Sequence, residues 1–438
     1  MWYLLYNIIL LVSAPVIVLI LLMKKRCRRG LGQRIGLTLP KGLHSQDEVL
    51  WIHAVSMGEV LAAVPLVTAI HKAFPQLAIT ISTITDTGRE AVEQRLAGMA
   101  THCYLPLDWP WTVRRFIHHL RPKAFIVVET ELWPNLLREL RAQGVSNALV
   151  NGRLSTRSFP RYLWVKTFLK EVLSAFNVCL VQSDRDAQRF IALGAIPNLV
   201  HRTGNMKFDV ELAGLDGQTN RMSAQLLGLQ EGEVLMVAGS THPKEEEILL
   251  LGYQEILKEH PSMVLLLAPR HIERSEQLEH TIRSLGLPAI RRSQLGVNGE
   301  RTLGHPGSRV IVLDTRGELA HVYALARVTF VGGTFVPVGG HNLLEPASWG
   351  KPVLFGPFTD HCQEIADLLL DSGGGRQVRD GSEMASLVIS ILKDQSLADR
   401  MGQAANQVVL ENQGVVKRDM ELLGPLLGAP ASSDFSES

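Results

Sequence analysis

Ten short apolar runs, separated by stretches of helical patterning, constrain this chain more than any other feature of its sequence. In the first half they fall at 48–55, 77–83, 124–129, 147–151 and 177–182. After a pause at 214–230, a stretch containing Gly, Gln, Asn and Ser, they resume at 234–238, 263–268, 310–314, 328–331 and 352–355. Strands apolar on both faces, alternating with helices such as the one predicted over 59–74, require a parallel sheet covered on both sides. At 438 residues the chain is too long for one ordinary domain. The expectation is an α/β fold with two Rossmann-like domains, 24–213 and 231–423, facing a central cleft beyond the carboxyl ends of their strands. Residues 214–230 are predicted to link them, 85–88 to form a polar loop, and the Gly/Pro/Ala/Ser-rich 424–438 to be a disordered tail.

Residues 2–23 carry no charge, and Asn7 and Ser13 are their only strongly polar members. At about 1.5 Å per residue they match the ~30 Å hydrocarbon layer, so residues 1–23 are predicted to be a single-pass anchor helix, with a kink at Pro15 or a course partly in the interface as the two readings of that proline. Lys24-Lys25-Arg26-Cys27-Arg28-Arg29 follows rather than precedes the apolar stretch, which is the wrong order for a cleaved signal peptide. The positive-inside rule then places everything after it in the cytosol. The net charge of +1 gives no global field for nucleic acid. Cys27, Cys103, Cys179 and Cys362 are scattered, which suits reduced thiols better than a disulfide framework or a zinc site.

Three segments place chemistry-bearing residues just past a strand. In His53–Glu59, Ser56 can cap a helix, Gly58 lets a ligand approach the backbone, and Glu59 sits in the first turn. The same Ser-x-x-Glu is a capping box. A helix start depresses the carboxylate's pKa while burial raises it, so its fitness as a base depends on the fold. In Val128–Asn135, Glu129 and Glu131 end an apolar run and open a helix, and burial at the strand tip favours a site. Gly332-Gly333-Thr334 and Gly339–Pro346 form a Gly-rich loop leading into a helix that Pro346 confines to a start near Asn342. Its free N–H groups suit a phosphate, although Asn342 with Glu345 also fits a capping box.

Around these lie Arg270 after a strand, the run Asp314–Glu318, Lys207 in Gly204–Asp209, and Thr241, read as a cap for a helix begun by Pro243. Asp184-Arg185-Asp186 imitates a metal-holding pattern but opens a helix after Ser183, where acids cap. No metal and no cofactor is expected. Arg153, Arg157, Arg161, Lys166 and Lys170 interleave with Leu154, Phe159, Tyr162, Leu163, Trp164, Phe168 and Leu169, a mixture suited to an anionic lipid surface. With Ser56 and Gly58, the arginines 153, 157 and 161 make the candidate acceptor and membrane set.

Taken together, His53–Glu59, Glu129–Asn135, 151–158, Gly204–Asp209, 239–242, 269–271, 317–319 and Gly332–Pro346 resemble the signature segments of the 3-deoxy-D-manno-octulosonic acid (Kdo) transferases, from the anchor to about residue 415. The resemblance implies a GT-B fold, a lipid A precursor acceptor on the first domain, CMP-Kdo as co-substrate on the second, and work at the cytoplasmic face of the inner membrane. It implies that Glu59 is the general base, with Glu129 and Lys207 assisting. It implies CMP contacts from Pro269, Arg270, Arg316, Gly317, Glu318, Asn342, Leu343, Leu344 and Glu345. Arg316 departs from the family, where an apolar residue is expected. The alternatives are a GT-B transferase using a UDP-sugar and another lipid acceptor, a non-catalytic membrane scaffold, and a nucleotide-binding epimerase.

Overall fold

A computed structural model describes residues 1–23, 29–40, 48–156, 158–209, 224, 226–295 and 309–428. The chain divides into two compact units, Met1–Val210 with Asn412–Ser438, and Glu211–Glu411. The first opens with helix α1 (Trp2–Met23). It is built on strands β1 (Glu48–His53), β2 (Leu77–Thr83), β3 (Ala100–Tyr104), β4 (Pro122–Val128), β5 (Ser146–Gly152), β6 (Val178–Val181) and β7 (Val200–Arg202). Their order is β3-β2-β1-β4-β5-β6-β7, all parallel. Successive side chains go to opposite faces: Leu50 and Ile52 join one core, and Trp51 between them joins Phe116 and Phe125 in the other. Burial on both faces is why these strands read as continuous apolar runs.

The second unit repeats the plan with β8 (Val234–Thr241), β9 (Met263–Pro269), β10 (Ala289–Arg291), β11 (Arg309–Val312), β12 (Val328–Val331), β13 (Val353–Phe355) and β14 (Gly375–Gln377). The order is β10-β11-β9-β8-β12-β13-β14, again parallel. The first sheet reverses its strand order between β1 and β4; the second does so near its edge, where β11 inserts between β9 and β10, and also between β8 and β12. Ligands of open α/β sheets sit beyond the carboxyl ends of the strands at this switch point.

The helices used below are α2 (Met57–Ala73), α3 (Asp86–Arg95), α4 (Pro134–Ala142), α5 (Phe159–Trp164), α6 (Lys166–Leu173), α7 (Glu245–Glu259), α8 (Leu344–Ser348) and α9 (Val415–Leu427). Several expectations need correction. The polar stretch 85–88 is the start of α3, capped by Thr85, whose hydroxyl accepts from Gly88 N at 3.0 Å. The second domain does not run to 423. Asp209 accepts from Gly414 N and Val416 N at 2.7 and 2.6 Å, and Val415, Met420, Leu423 and Leu427 of α9 enter the first unit's core. The tail predicted to begin at 424 is helical to Leu427, because Leu423 and Leu427 share the buried face. Leu227 is buried in the second core, so the predicted link ends before it. Residues 214–223 and 225 of that link, 24–28 of the basic run, Arg157 and 429–438 lie outside the described residues.

Candidate active site

In the first unit the switch point is furnished by the segments after β1 and β4. Strand β1 ends at His53, and the chain turns through Ser56 into α2. The expected capping box does not form: Ser56 accepts no amide from the helix among the described residues. Instead Glu59 turns back on the loop, its Oε2 accepting from Val55 N at 2.6 Å and its Oε1 from the Ser56 hydroxyl at 3.2 Å. Partial burial, reinforced by the negative charge of Glu129, pushes the Glu59 carboxyl up to about 7 against these hydrogen bonds. Burial wins over the helix start, and the group sits where a general base works best. Gly58 beside it is exposed, and a Cβ there would meet nothing closer than Ser56 Oγ at 3.9 Å. No neighbour in the fold demands glycine there.

Glu129, at the tip of β4, adopts φ 60° while its N–H donates to Val150 O at 2.9 Å. Left-handed backbone is costly for a residue with a Cβ, by roughly 1 kcal/mol. Asn151 at the tip of β5 (φ 54°) and Ser240 near the end of β8 (φ 57°) share it. Glu131 is raised by burial, with Glu129 adding to it. The loop that follows is fastened by Asp108, a buried residue the sequence reading missed. Its carboxylate accepts from Asn135 N at 2.9 Å and Leu136 N at 2.8 Å, capping α4 from a distant loop. Burial pushes it up to about 6. The only sequence signal was an Asp directly before Trp109-Pro110, which reads as a cap for the next helix.

His53 is fully buried, and burial lowers it to about 4. Its Nδ1 meets Ser82 O at 2.9 Å, and its Nε2 finds no partner among the described residues. Lys207 lies in a 3-10 turn, Met206–Asp209, which packs on α2. Met206 N donates to Asn151 Oδ1 at 3.1 Å, so the strained β5 tip positions the turn that carries the lysine. Asp186 accepts from Leu154 N at 2.8 Å, and the Ser183 hydroxyl caps its N–H, so the Asp-x-Asp is a helix start as expected. Of the basic-aromatic segment, Leu154 and Leu169 go to the core. Arg153 is half-buried, Arg161 and Lys166 are exposed, and Trp164 is 88% exposed.

The second unit's switch point is organised by Glu245, also missed because three consecutive acids read as a solvated helix face. It is 0% exposed, and burial raises it. Its carboxylate accepts from His242 N and Gly333 N, both at 2.7 Å, and from Phe335 N at 3.3 Å. One buried acid thus ties the end of β8 to the Gly-rich loop after β12. Gly332 permits this approach, since a Cβ would lie 2.5 Å from Ser240 O. Helix α7 begins at Glu245 rather than at Pro243, and Thr241 donates to Glu246 at 3.0 Å instead of capping. His242 and His341 stack at 5.0 Å with their Nε2 atoms 2.8 Å apart. Both are lowered mainly by burial, His341 to about 4.

A pocket of about 430 Å³ opens beside these elements, lined by Ser240, Pro269, Arg270, Thr315, Arg316 and Gly317 among others. The structure thus brings four of the predicted nucleotide residues into one cavity: Pro269, Arg270, Arg316 and Gly317. Glu318 is instead paired with Arg292 at 3.1 Å. Asn342, Leu343, Leu344 and Glu345 lie off the cavity wall. Helix α8 is a five-residue turn starting at Leu344, not a helix from Asn342, because Pro346 offers no N–H to extend it. Asn342 still bridges its start, accepting from Leu344 N at 3.1 Å and donating to Glu345 at 3.2 Å. Glu345 is raised by burial, although Arg270 pulls it down. The Arg316 side chain is largely exposed and pairs with Glu273, another residue of the pocket wall, at 3.3 Å.

Comparison with known proteins bears on this arrangement. The sequence family described as 3-deoxy-D-manno-octulosonic-acid transferase (Kdotransferase) matches residues 29–210. The 3-deoxy-D-manno-octulosonic acid transferase of Haemophilus influenzae is 34% identical over 432 residues, covering 98% of this chain and 99% of the relative. That of Bordetella pertussis is 33% identical, over 93% of this chain and 95% of its own. Among solved structures, UDP-GlcNAc 2-epimerase from Neisseria meningitidis superposes with a TM-score of 0.58 at 12% identity, over 86% of this chain and 99% of its own. That likeness is one of fold alone: two successive doubly wound units of the GT-B kind.

Proposed function

The chain belongs to the 3-deoxy-D-manno-octulosonic acid (Kdo) transferases, glycosyltransferases of lipopolysaccharide core biosynthesis, and from that premise we propose that it moves Kdo from CMP-Kdo to a lipid A precursor with inversion, Glu59 acting as general base. The observation that carries the proposal is the Glu59 carboxyl, raised to about 7 at the first sheet's switch point. A carboxylate of ordinary pKa is too weak a base for a sugar hydroxyl, whereas one near neutrality is matched to the task.

In this reading Glu59 takes the proton of the acceptor hydroxyl as that oxygen bonds to the anomeric carbon of Kdo. The bond from that carbon to the phosphate oxygen breaks, and CMP leaves with the electron pair. Oε1 is the receiving atom, because Oε2 is held by the short bond from Val55 N. Glu129 helps by keeping Glu59 basic, and in the second unit Arg270 meets the charge that grows on the departing phosphate. The pocket lined by Pro269, Arg270 and Gly317 takes the nucleotide. No metal or other cofactor enters this scheme. The acceptor is a membrane lipid, and α1, Trp164 and Arg161, all presented to the surface, support work at the cytoplasmic face of the inner membrane.

The test is transfer of labelled Kdo from freshly generated CMP-Kdo to a tetra-acyl lipid A precursor, wild type against Glu59→Gln. Transfer by wild type and its loss in the folded variant is the expected result. Equal transfer by both would move the base elsewhere, with Glu129 next in line; transfer by neither would refute the substrates.

A further inference from the structure

Four histidines gather with Arg270 in the second unit, on the segments that follow β8, β9, β12 and β13, and the reaction scheme above uses only the arginine. His242 meets His341 with their Nε2 atoms 2.8 Å apart and their ring planes within 4° of parallel. His271 stands edge-on to His242 at 6.1 Å. Two ring nitrogens at such a distance hold one proton between them, not two. The Nδ1 atoms of the pair have no protein partner among the described residues. The pair can therefore take one further proton without breaking its shared bond.

The Gly-rich loop is shaped around these rings. Gly333, at φ 71°, would put a Cβ 3.0 Å from His341 Cδ2, and Gly339, at φ 103°, one 2.9 Å from the His361 ring. Glycine is needed there both for the left-handed backbone and for the imidazole that packs on it.

The charges round the pair are lopsided. Burial holds His242 and His341 low, and Arg270, His271, Arg274 and His361 push the same way as like charges. The acids nearby are engaged elsewhere: Glu245 by backbone amides, Glu246 by Arg274 at 3.0 Å, Glu345 by Asn342 at 3.2 Å. Arg274, Arg292 and Arg316 each have a carboxylate partner, whereas Arg270 forms no ion pair among the described residues. An anion is what this cluster lacks.

We propose that the His242–His341 pair is a proton-taking part of the donor site: when the phosphate of the nucleotide pairs with Arg270, the pair accepts one proton from solvent and adds a second positive charge facing it. The proposal deepens the reading of this pocket as the nucleotide site and rests on it. The proton goes to the free Nδ1 of whichever ring donates the shared hydrogen, and water or buffer gives it up. The bond between the rings is kept and becomes charge-assisted. A nearby anion favours the charged imidazole, reversing the effect of the surrounding cations. Because the occupied pair binds the proton more tightly than the empty one, affinity rises as pH falls and the gain is lost above the occupied pair's pKa.

The probe is the methyl phosphodiester of CMP, whose phosphate, unlike that of CMP itself, has no proton to exchange near neutrality. Its binding to the full chain is followed by calorimetry near pH 6.5 in buffers of different ionisation enthalpy, with uncharged cytidine alongside. Uptake of about half a proton or more with the diester, and none with cytidine, is the expected result, together with a roughly three- to tenfold weaker Kd one pH unit higher. His242→Gln and His341→Gln should each abolish the uptake, and Glu345→Gln, which removes the buried acid beside Arg270, should keep it. Nitrogen NMR of histidine-labelled wild type, where imidazole and imidazolium separate, should show the change without any substitution. Smaller uptake, no imidazolium signal at saturation, or loss of uptake in Glu345→Gln alone would overturn the proposal and leave the nucleotide site standing. Failure of wild type to bind either the diester or CMP would sink the reading of the pocket as well.

Discussion

Replacing Glu59 by Gln is predicted to abolish transfer and at the same time to stabilise the protein above neutral pH. Folding raises this carboxyl from its ordinary 4.5 to about 7. The native chain therefore binds the proton more tightly than the unfolded one. The stability this confers is fully present below pH 4.5 and is lost as pH rises through 7. Above that, holding the charge costs at most ~3.4 kcal/mol, taking about 1.36 kcal/mol for each unit of the difference. Solvent screening of a partly exposed side chain and the bonds from Val55 N and Ser56 Oγ reduce what a neutral isostere recovers, leaving about 1–2 kcal/mol. Urea unfolding followed by tryptophan fluorescence would report it, since Trp51 lies in the first unit's core. The variant should match wild type at pH 4 and gain steadily to pH 8. Transfer should fall by about 10²–10⁴, the usual contribution of a general base. A gain independent of pH, a less stable variant at pH 8, or transfer within tenfold of wild type would refute the reasoning.

Wild-type kcat/KM should fall about tenfold per unit below pH 7. Glu129→Gln, which removes the like charge beside Glu59, should move that limb to lower pH; an unmoved midpoint in a pH–rate profile would disprove the coupling. Gly58→Ala has open space and a helical position, so unfolding should show a gain of up to ~1 kcal/mol. Transfer should nonetheless drop, because the methyl stands beside Glu59 where the acceptor must approach. Arg270→Ala should weaken CMP binding by calorimetry ten- to a hundredfold, about 1.4–2.7 kcal/mol, whereas Arg316→Ala, whose side chain faces solvent, should change it less than threefold. Gly332→Ala puts a methyl 2.5 Å from Ser240 O, and a cost of about 1–3 kcal/mol should appear in the second unit's unfolding together with loss of CMP binding.

What the sequence disclosed follows from what burial does to composition. Central strands such as β2 and β12 are covered on both faces, so they are unbroken apolar runs, and their ends were placed correctly at Leu77–Thr83 and Val328–Val331. The edge strands β3, β7, β10 and β14 escaped notice, because His102, Arg202, Arg291 and Arg376 interrupt them where one side meets water. Helix α9 was assigned to the wrong unit, because nothing local in Val415–Leu427 says which core its apolar stripe will join.

The same distinction governs the site. Glu59, Glu129 and Arg270 were legible because each follows its own strand, and position after a strand is a local property. Asp108 and Glu245 were not. Each is a buried carboxylate holding backbone amides contributed by segments 27 to 90 residues away. Their partners have no side-chain signature, since any residue offers an N–H, and an acid in an acidic run or just ahead of a helix reads as a solvated face or a cap. Asp108 shows how much such a residue can join: the first turns of α1, the cap of α4 and the loop after Glu129 all converge on it. The N-terminal apolar helix and the loop beside the proposed base therefore share one carboxylate, so loss of Asp108 should loosen both at once. Sequence patterning treats those two features as separate, one apolar and one acidic, and only the fold connects them.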